Sequence, residues 1–143
     1  MSGKDPRQHS AEHLMTSVFG DLYKGRIIDT RFKGTKVRCD YEIPGEFLPE
    51  DVVSHVEYEV NRRIGLNLPV SYEITDIEKS EKICSLHRLP TDSRQVRLVY
   101  IGDKMITPCS GEHVGNTSEI GKVKIRTFQV PEPGILRLTF AVE

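Results

Sequence analysis

Two short spacings concentrate the residues able to do chemistry in this chain. They are His9-Ser10-Ala11-Glu12-His13 near the start and Cys109-Ser110-Gly111-Glu112-His113 far along it. Residues four apart on a helix share a face, with Cβ atoms about 5–6 Å apart. Two imidazoles so placed can reach one ion at about 2.0–2.1 Å, and a thiolate at about 2.3 Å with a third imidazole completes a tetrahedral Cys-His₃ set. A thiolate among imidazoles selects zinc over calcium and magnesium, which take oxygen ligands. The candidate ligands are therefore His9, His13, Cys109 and His113. With 5 His and 3 Cys in 143 residues, roughly one shuffled sequence in a hundred would carry both spacings. A zinc-protease helix is a poor fit, because it needs Glu directly after the first His as general base. Ser10 stands there instead, and Glu12 precedes the second His. Four protein ligands make a closed, structural site. A catalytic role requires that a ligand leave, that the coordination expand, or that the ion hold substrate, and the spacing alone leaves both roles open.

These residues must be positioned by regular elements. Asp5 reads as an N-cap, Pro6 as the first helical residue and Gln8 as a capping-box partner. Ala11, Leu14, Met15, Val18, Phe19 and Leu22 recur at helical spacing, and Gly25 is the stop. On that helix His9 and His13 point about 170° away from the apolar stripe, toward solvent, a cleft or another part of the fold. A second helix is expected over Pro49–Ile64, with the stripe Val52, Val53, Val56, Val60 and Ile64. Glu50 and Asp51 suit its positive end, Arg62 and Arg63 its negative end, and Gly65 ends it. A short third helix is expected around Glu78–Leu86. Elsewhere the period is two: Val37 to Ile43, Leu68 to Ile74, Val96 to Tyr100, Val123 to Ile125 and Leu136 to Val142. Pro131-Glu132-Pro133-Gly134 marks a hairpin between the last two. One-sided alternation fits an antiparallel sheet. The expected class is α+β, with an antiparallel sheet of about five or six strands packed on one face by two main helices. The metal site would lie between the N-terminal helix and a C-terminal loop.

Composition bounds the partners. A chain of 143 residues suits one domain, 1–143, and 37% hydrophobic with 29% charged residues is ordinary for a globular protein. A net charge of −1 excludes a grip on nucleic acid by bulk positive charge. No run approaches the roughly 18 apolar residues of a membrane helix, and the N-terminus lacks the apolar segment of a secretory signal. The partners expected are therefore not membranes. Three cysteines at unrelated spacings do not read as a disulfide framework, so a cytoplasmic location is expected. The average hides a contrast: Lys24, Arg26, Arg31, Lys33, Lys36 and Arg38 cluster against Asp29 alone, whereas residues 40–59 hold seven acids and no Lys or Arg. One basic edge beside the first helix suits phosphates. Cys39 takes an inward strand position, Cys84 sits in a short apolar patch, and His55 and His87 read as surface or cap residues.

The motif residues resemble a known family. His9-Ser10-Ala11-Glu12-His13-Leu14-Met15 is similar to the HxxxH motif of the second additional domain shared by alanyl- and threonyl-tRNA synthetases. Cys109-Ser110-Gly111-Glu112-His113-Val114 resembles its CxxxH partner, Asn116-Thr117-Ser118-Glu119-Ile120-Gly121 the stretch that follows, and Arg97-Leu98-Val99-Tyr100-Ile101-Gly102 the strand that leads into it. The resemblance spans essentially the whole chain and, at this length, points to the short, free-standing AlaX-type trans-editing proteins. It implies one aminoacyl-tRNA editing domain over 1–143, a zinc cofactor held by His9, His13, Cys109 and His113, and tRNA as partner. The activity implied is deacylation, the hydrolysis of serine or glycine wrongly esterified to alanine tRNA. The chain departs from the family with Ser110-Gly111-Glu112 where Gly-Gly-Thr is frequent. It also has Thr30-Arg31-Phe32-Lys33-Gly34 where a Ser-Phe-His segment is frequent. Thr30 is then the candidate hydroxyl for substrate choice, and Glu112 the candidate base or amine contact. Lys24, Arg26, Arg31, Lys33 and Lys36 are the candidate tRNA-binding residues. A non-catalytic tRNA-binding module with a structural zinc, and a zinc hydrolase of another small ester or amide, are the alternative readings.

Overall fold

The computed structural model describes residues 5–76, 95–108 and 111–143. The third helix expected around Glu78–Leu86, together with Cys84, His87 and Cys109, lies outside these residues. Helix α1 spans Pro6–Tyr23 and helix α2 Pro49–Gly65. Seven strands follow the chain as β1 (Arg26–Lys33), β2 (Lys36–Glu42), β3 (Val70–Asp76), β4 (Gln95–Ile101), β5 (Lys104–Pro108), β6 (Val123–Glu132) and β7 (Ile135–Val142), with a 3₁₀ turn at Thr117–Ile120. The class is α+β with antiparallel pairing throughout.

One sheet was expected and two are present: a four-stranded sheet in the order β1-β2-β7-β6 and a three-stranded sheet in the order β3-β4-β5. Alternation says which face of a strand is apolar but not which strand it pairs with, and that choice is made by partners distant in the chain. In the larger sheet Val37, Cys39 and Tyr41 of β2 lie beside Phe140, Leu138 and Leu136 of β7, and all six are fully buried. The hairpin foreseen at Pro131–Gly134 joins β6 to β7, with Gly134 at φ 85° supplying the left-handed turn residue.

The stripe of α2 is buried as its spacing requires, from Val52 through Ile64. Its polar residues finish β6. The Asn61 amide donates to the Val123 carbonyl and its oxygen accepts from the Val123 N–H, both at 2.9 Å. Glu57 accepts from the Ile125 N–H at 2.7 Å. Helix α1 packs against α2, the 3₁₀ turn, β1, β2, β5 and β7. Phe19 stacks on Tyr41 with ring centroids 3.9 Å apart, and the Tyr41 hydroxyl pairs with Thr16 at 2.9 Å. Full burial pushes the Tyr41 phenol well above its ordinary pKa. Among the described residues, no helix is long and apolar enough to cross a membrane.

Candidate metal centre

The start of α1 is set by Asp5, whose side chain accepts from the Arg7 N–H at 2.8 Å, with Pro6 at the first helical position. Gln8 does not close a capping box. Its amide reaches across to the Gly34 carbonyl in the β1–β2 turn at 2.8 Å, fastening the hairpin to the helix. At the far end the left-handed residue is Lys24, at φ 54°, rather than Gly25. The Lys24 and Gly25 N–H groups donate to the carbonyls of Gly20 and Phe19, and Gly25 lies so close to Phe19 that a Cβ there would approach it to 3.3 Å.

Between these ends the first turns of α1 are buried on every side: Gln8, His9, Ser10, Ala11, Glu12, His13 and Leu14 are all at most 5% exposed. The face opposite the apolar stripe thus meets another part of the fold. That part is the segment from Gly111 to Ile120. Thr117 anchors it, accepting from the Leu68 N–H at 2.8 Å and donating to the last carbonyls of α2. The Val70 N–H donates to the Gly115 carbonyl at 2.8 Å. His113 is thereby brought onto α1, and the imidazoles of His9, His13 and His113 offer ligand atoms that all lie within 4.8 Å of one another. Their ring centroids are 4.3–4.7 Å apart. Three of the four expected ligands meet, and the fourth, Cys109, is outside the described residues.

Each ring is held through Nδ1. His9 Nδ1 lies 3.2 Å from the Glu112 carbonyl, His13 Nδ1 lies 2.5 Å from Glu12 Oε2, and His113 Nδ1 lies 3.2 Å from Ser10 Oγ. Ser10 Oγ also accepts from the Val114 N–H at 3.0 Å, so one hydroxyl fixes both the ring and the backbone behind it. With Nδ1 engaged in this way, Nε2 is the atom each ring can present to a common point. His13 Nε2 and His113 Nε2 are both shielded from solvent. Three imidazole nitrogens in such a cluster suit a divalent transition-metal ion, and the cluster could hold one.

The surroundings are close-packed. A Cβ on Gly111 would collide with the His9 ring, so only glycine fits there. Phe32 of β1 meets His9 edge-on, with centroids 5.9 Å apart. Arg97 donates to the Gly111 carbonyl and lies 4.1 Å above the Tyr72 ring, which is 6.2 Å from His113.

Two residues that spacing did not single out support the cluster: Ser10 and Glu12. Helical periodicity classes both as polar positions away from the stripe and carries no signal for partners that arrive from elsewhere in the chain. Thr30, half-buried on β1, donates its hydroxyl to Glu12 Oε1 at 3.1 Å. Behind it Cys39 is buried as its strand position implied. Burial, followed by the Glu12 charge, pushes its thiol far up, which makes it inert. Glu112 contributes its carbonyl to His9, while its side chain is exposed.

The basic residues lie on and around β1, an edge strand of the larger sheet. Arg26 pairs with Glu42 at 2.7 Å and Arg31 with Asp29 at 3.1 Å. The Arg31 guanidinium is the main cause holding the Asp29 carboxyl below the usual range. Lys24, Lys33 and Lys36 are exposed. His55 accepts or donates one hydrogen bond with the Tyr23 hydroxyl at 2.9 Å.

Comparison with known proteins adds a family. Residues 96–138 match the model of the threonyl and alanyl tRNA synthetase second additional domain. The chain is 33% identical over 138 residues to alanyl-tRNA editing protein AlaX-L of Pyrococcus horikoshii, covering 94% of this chain and 33% of that protein. It is 32% identical over 142 residues to the alanine–tRNA ligase of Levilactobacillus brevis, covering 94% of this chain and 16% of the ligase. With the alanine–tRNA ligase of Buchnera aphidicola the identity is 29% over 136 residues, covering 92% of this chain and 15% of the ligase. The chain thus spans about a third of the editing protein's length and about a sixth of the ligases'.

Proposed function

The chain is an AlaX-type homologue of the alanyl-tRNA editing proteins, and on that premise we propose that it hydrolyses mischarged aminoacyl-tRNA in trans. The substrates proposed are alanine tRNA carrying serine or glycine. Residues 1–143 would act as one editing domain, working in the cytoplasm. The observation that supports the reading most directly is the buried cluster of His9, His13 and His113, built from the two motifs the resemblance rests on.

In this reading His9, His13 and His113, together with Cys109, hold zinc. When bound, zinc supplies a Lewis acid able to polarise an ester carbonyl or to bind the free amine of the aminoacyl group. The chain's own residues do the rest. The Nδ1 bonds of the three rings orient them toward one another. Thr30 has given its hydrogen to Glu12, so its oxygen is an acceptor, suited to the serine hydroxyl. A site that hydrogen-bonds a substrate hydroxyl rejects the analogue lacking it, which separates serine from alanine; glycine also lacks the hydroxyl, so its release would not depend on Thr30. Glu112, exposed beside His113, is the carboxylate placed to meet the substrate ammonium. Phe32 lies against His9 and Tyr72 near His113, so both border the cluster. Lys24, Arg26, Arg31, Lys33 and Lys36 offer phosphates a basic edge. Gly34, flanked by two of these lysines, is bonded to Gln8 next to His9, which sets that edge beside the cluster.

The test is a panel of alanine tRNA charged with serine, glycine or alanine, run beside small amino-acid esters. Release of serine or glycine with alanine spared is the result expected. Binding of charged tRNA without hydrolysis would replace this reading by a binding module, and turnover of small esters alone by another hydrolase.

A further inference from the structure

Glu12 is neither a zinc ligand nor a substrate residue in this reading, yet its setting is the least ordinary in the molecule. Its carboxylate is fully buried, at 0% exposure, in the middle of a helix. A carboxylate removed from water is strongly disfavoured unless hydrogen bonds and a positive charge face it. One oxygen accepts from Thr30 Oγ1 at 3.1 Å and the other lies 2.5 Å from His13 Nδ1. A hydroxyl brings no charge. Of these two partners, the imidazole is the one through which a metal ion's charge can reach the carboxylate.

We propose that Glu12 is a positioning residue of the metal centre. By accepting from His13 Nδ1–H it fixes the tautomer that turns Nε2 to the ion, and its charge offsets that of the ion. Carboxylates that accept from a metal-bound imidazole in this way raise its basicity and its hold on the metal. The same carboxylate holds Thr30, so it also ties β1 to α1 at the centre. This inference rests on the proposed metal site and not on the identity of the substrate.

Zinc affinity, measured by competition with a chromophoric chelator, tests it without reference to activity. Glu12→Gln keeps the size and, with its oxygen turned to His13 Nδ1–H and its amide donating to the Thr30 hydroxyl, a bond to each partner, but it removes the charge, and is expected to weaken zinc binding by about tenfold. Glu12→Ala removes the bonds as well, and the loss should approach about a hundredfold. Cobalt-loaded Glu12→Gln should show shifted visible bands. Thr30→Val removes the bond to Glu12 but leaves the His13–Glu12 pair, and should bind zinc within about threefold of the wild type, below the range for a missing carboxylate partner. Zinc binding by Glu12→Gln equal to that of the wild type would overturn the proposal. Should the Glu12 variants fail to fold, imidazole nitrogen NMR of the zinc-loaded wild type decides. A His13 ring protonated at Nδ1 supports the proposal, and one protonated at Nε2 overturns it. A wild-type protein that binds no zinc would overturn the metal reading itself.

Discussion

Each imidazole of the cluster is fastened by a different group, a backbone carbonyl at His9, a carboxylate at His13 and a hydroxyl at His113. None of the three fasteners was visible in the spacing. The i, i+4 rule puts two histidines on one face of a helix, and it says nothing of Ser10 or Glu12, whose partners arrive from β1 and from the segment after Gly111. Gly111 is the sharpest test at this scale, because its hydrogen is all that fits against His9. Gly111→Ala must push the His9 ring or the loop aside. It is expected to leave the fold intact, by circular dichroism, and to weaken metal binding about tenfold or more, by chelator competition.

At the scale of elements, α1 and α2 were legible because a proline in the first turn and the apolar spacing agree, down to the burial of Val52, Val53, Val56, Val60 and Ile64; the ends were less so, since α2 runs through Gly65 and has no side-chain cap at Leu48. Val37, Cys39 and Tyr41 of β2 and Leu136, Leu138 and Phe140 of β7 were likewise buried as their alternation implied, whereas in β4 the expected outward Val99 is fully buried beside Leu98 and Tyr100 is half-buried. Strand β1 was not legible in this way, since Ile28 is exposed beside Ile27 and a bulge between Ile27 and Asp29 shifts the phase of its alternation. Strand β5 is five residues long and ends in proline, too little for a period. The two helices are also joined by a charge network that no local pattern reveals. Glu59 bonds Arg62 and Arg63 at 2.8 Å, and Arg63 reaches Asp21 of α1 at 2.9 Å. The Arg62 bond, with Arg63, draws the Glu59 carboxyl down to about 2. Burial alone would raise Asp21, but Lys104 and Arg63 pull it below the usual range. A carboxyl with a lowered folded-state pKa stabilises the fold above its unfolded value and ceases to do so as pH falls through its folded one. Stability from Glu59 should therefore be complete at neutral pH and fade from the ordinary carboxylate range near 4.5 toward about 2. Glu59→Gln should cost roughly 1 kcal/mol at pH 7 and only a small part of that at pH 2, read from urea melts at the two values.

For the whole molecule, the net charge of −1 conceals an arrangement. The basic residues collect on an edge strand, two of its arginines are paired with acids, and Lys33 and Lys36 stand exposed around the turn that Gln8 holds to α1. Such an edge grips phosphates without reading bases. Lys33→Glu with Lys36→Glu should weaken binding of charged tRNA while leaving zinc content unchanged. For every phosphate that a lysine no longer neutralises, the slope of log affinity against log salt should fall by about 0.7–0.9, measured by filter binding across a salt series. Unchanged binding would move the tRNA to another face.

The central claim is that the His9, His13 and His113 cluster carries out ester hydrolysis on charged tRNA. It is tested most directly by the rate of serine release from serine-charged alanine tRNA, compared between the wild type and His13→Ala and Cys109→Ala. Both variants are expected to lose metal and to slow release by roughly a hundredfold or more. Wild-type rates in either variant with its metal gone, or no release by the zinc-loaded wild type, would contradict it.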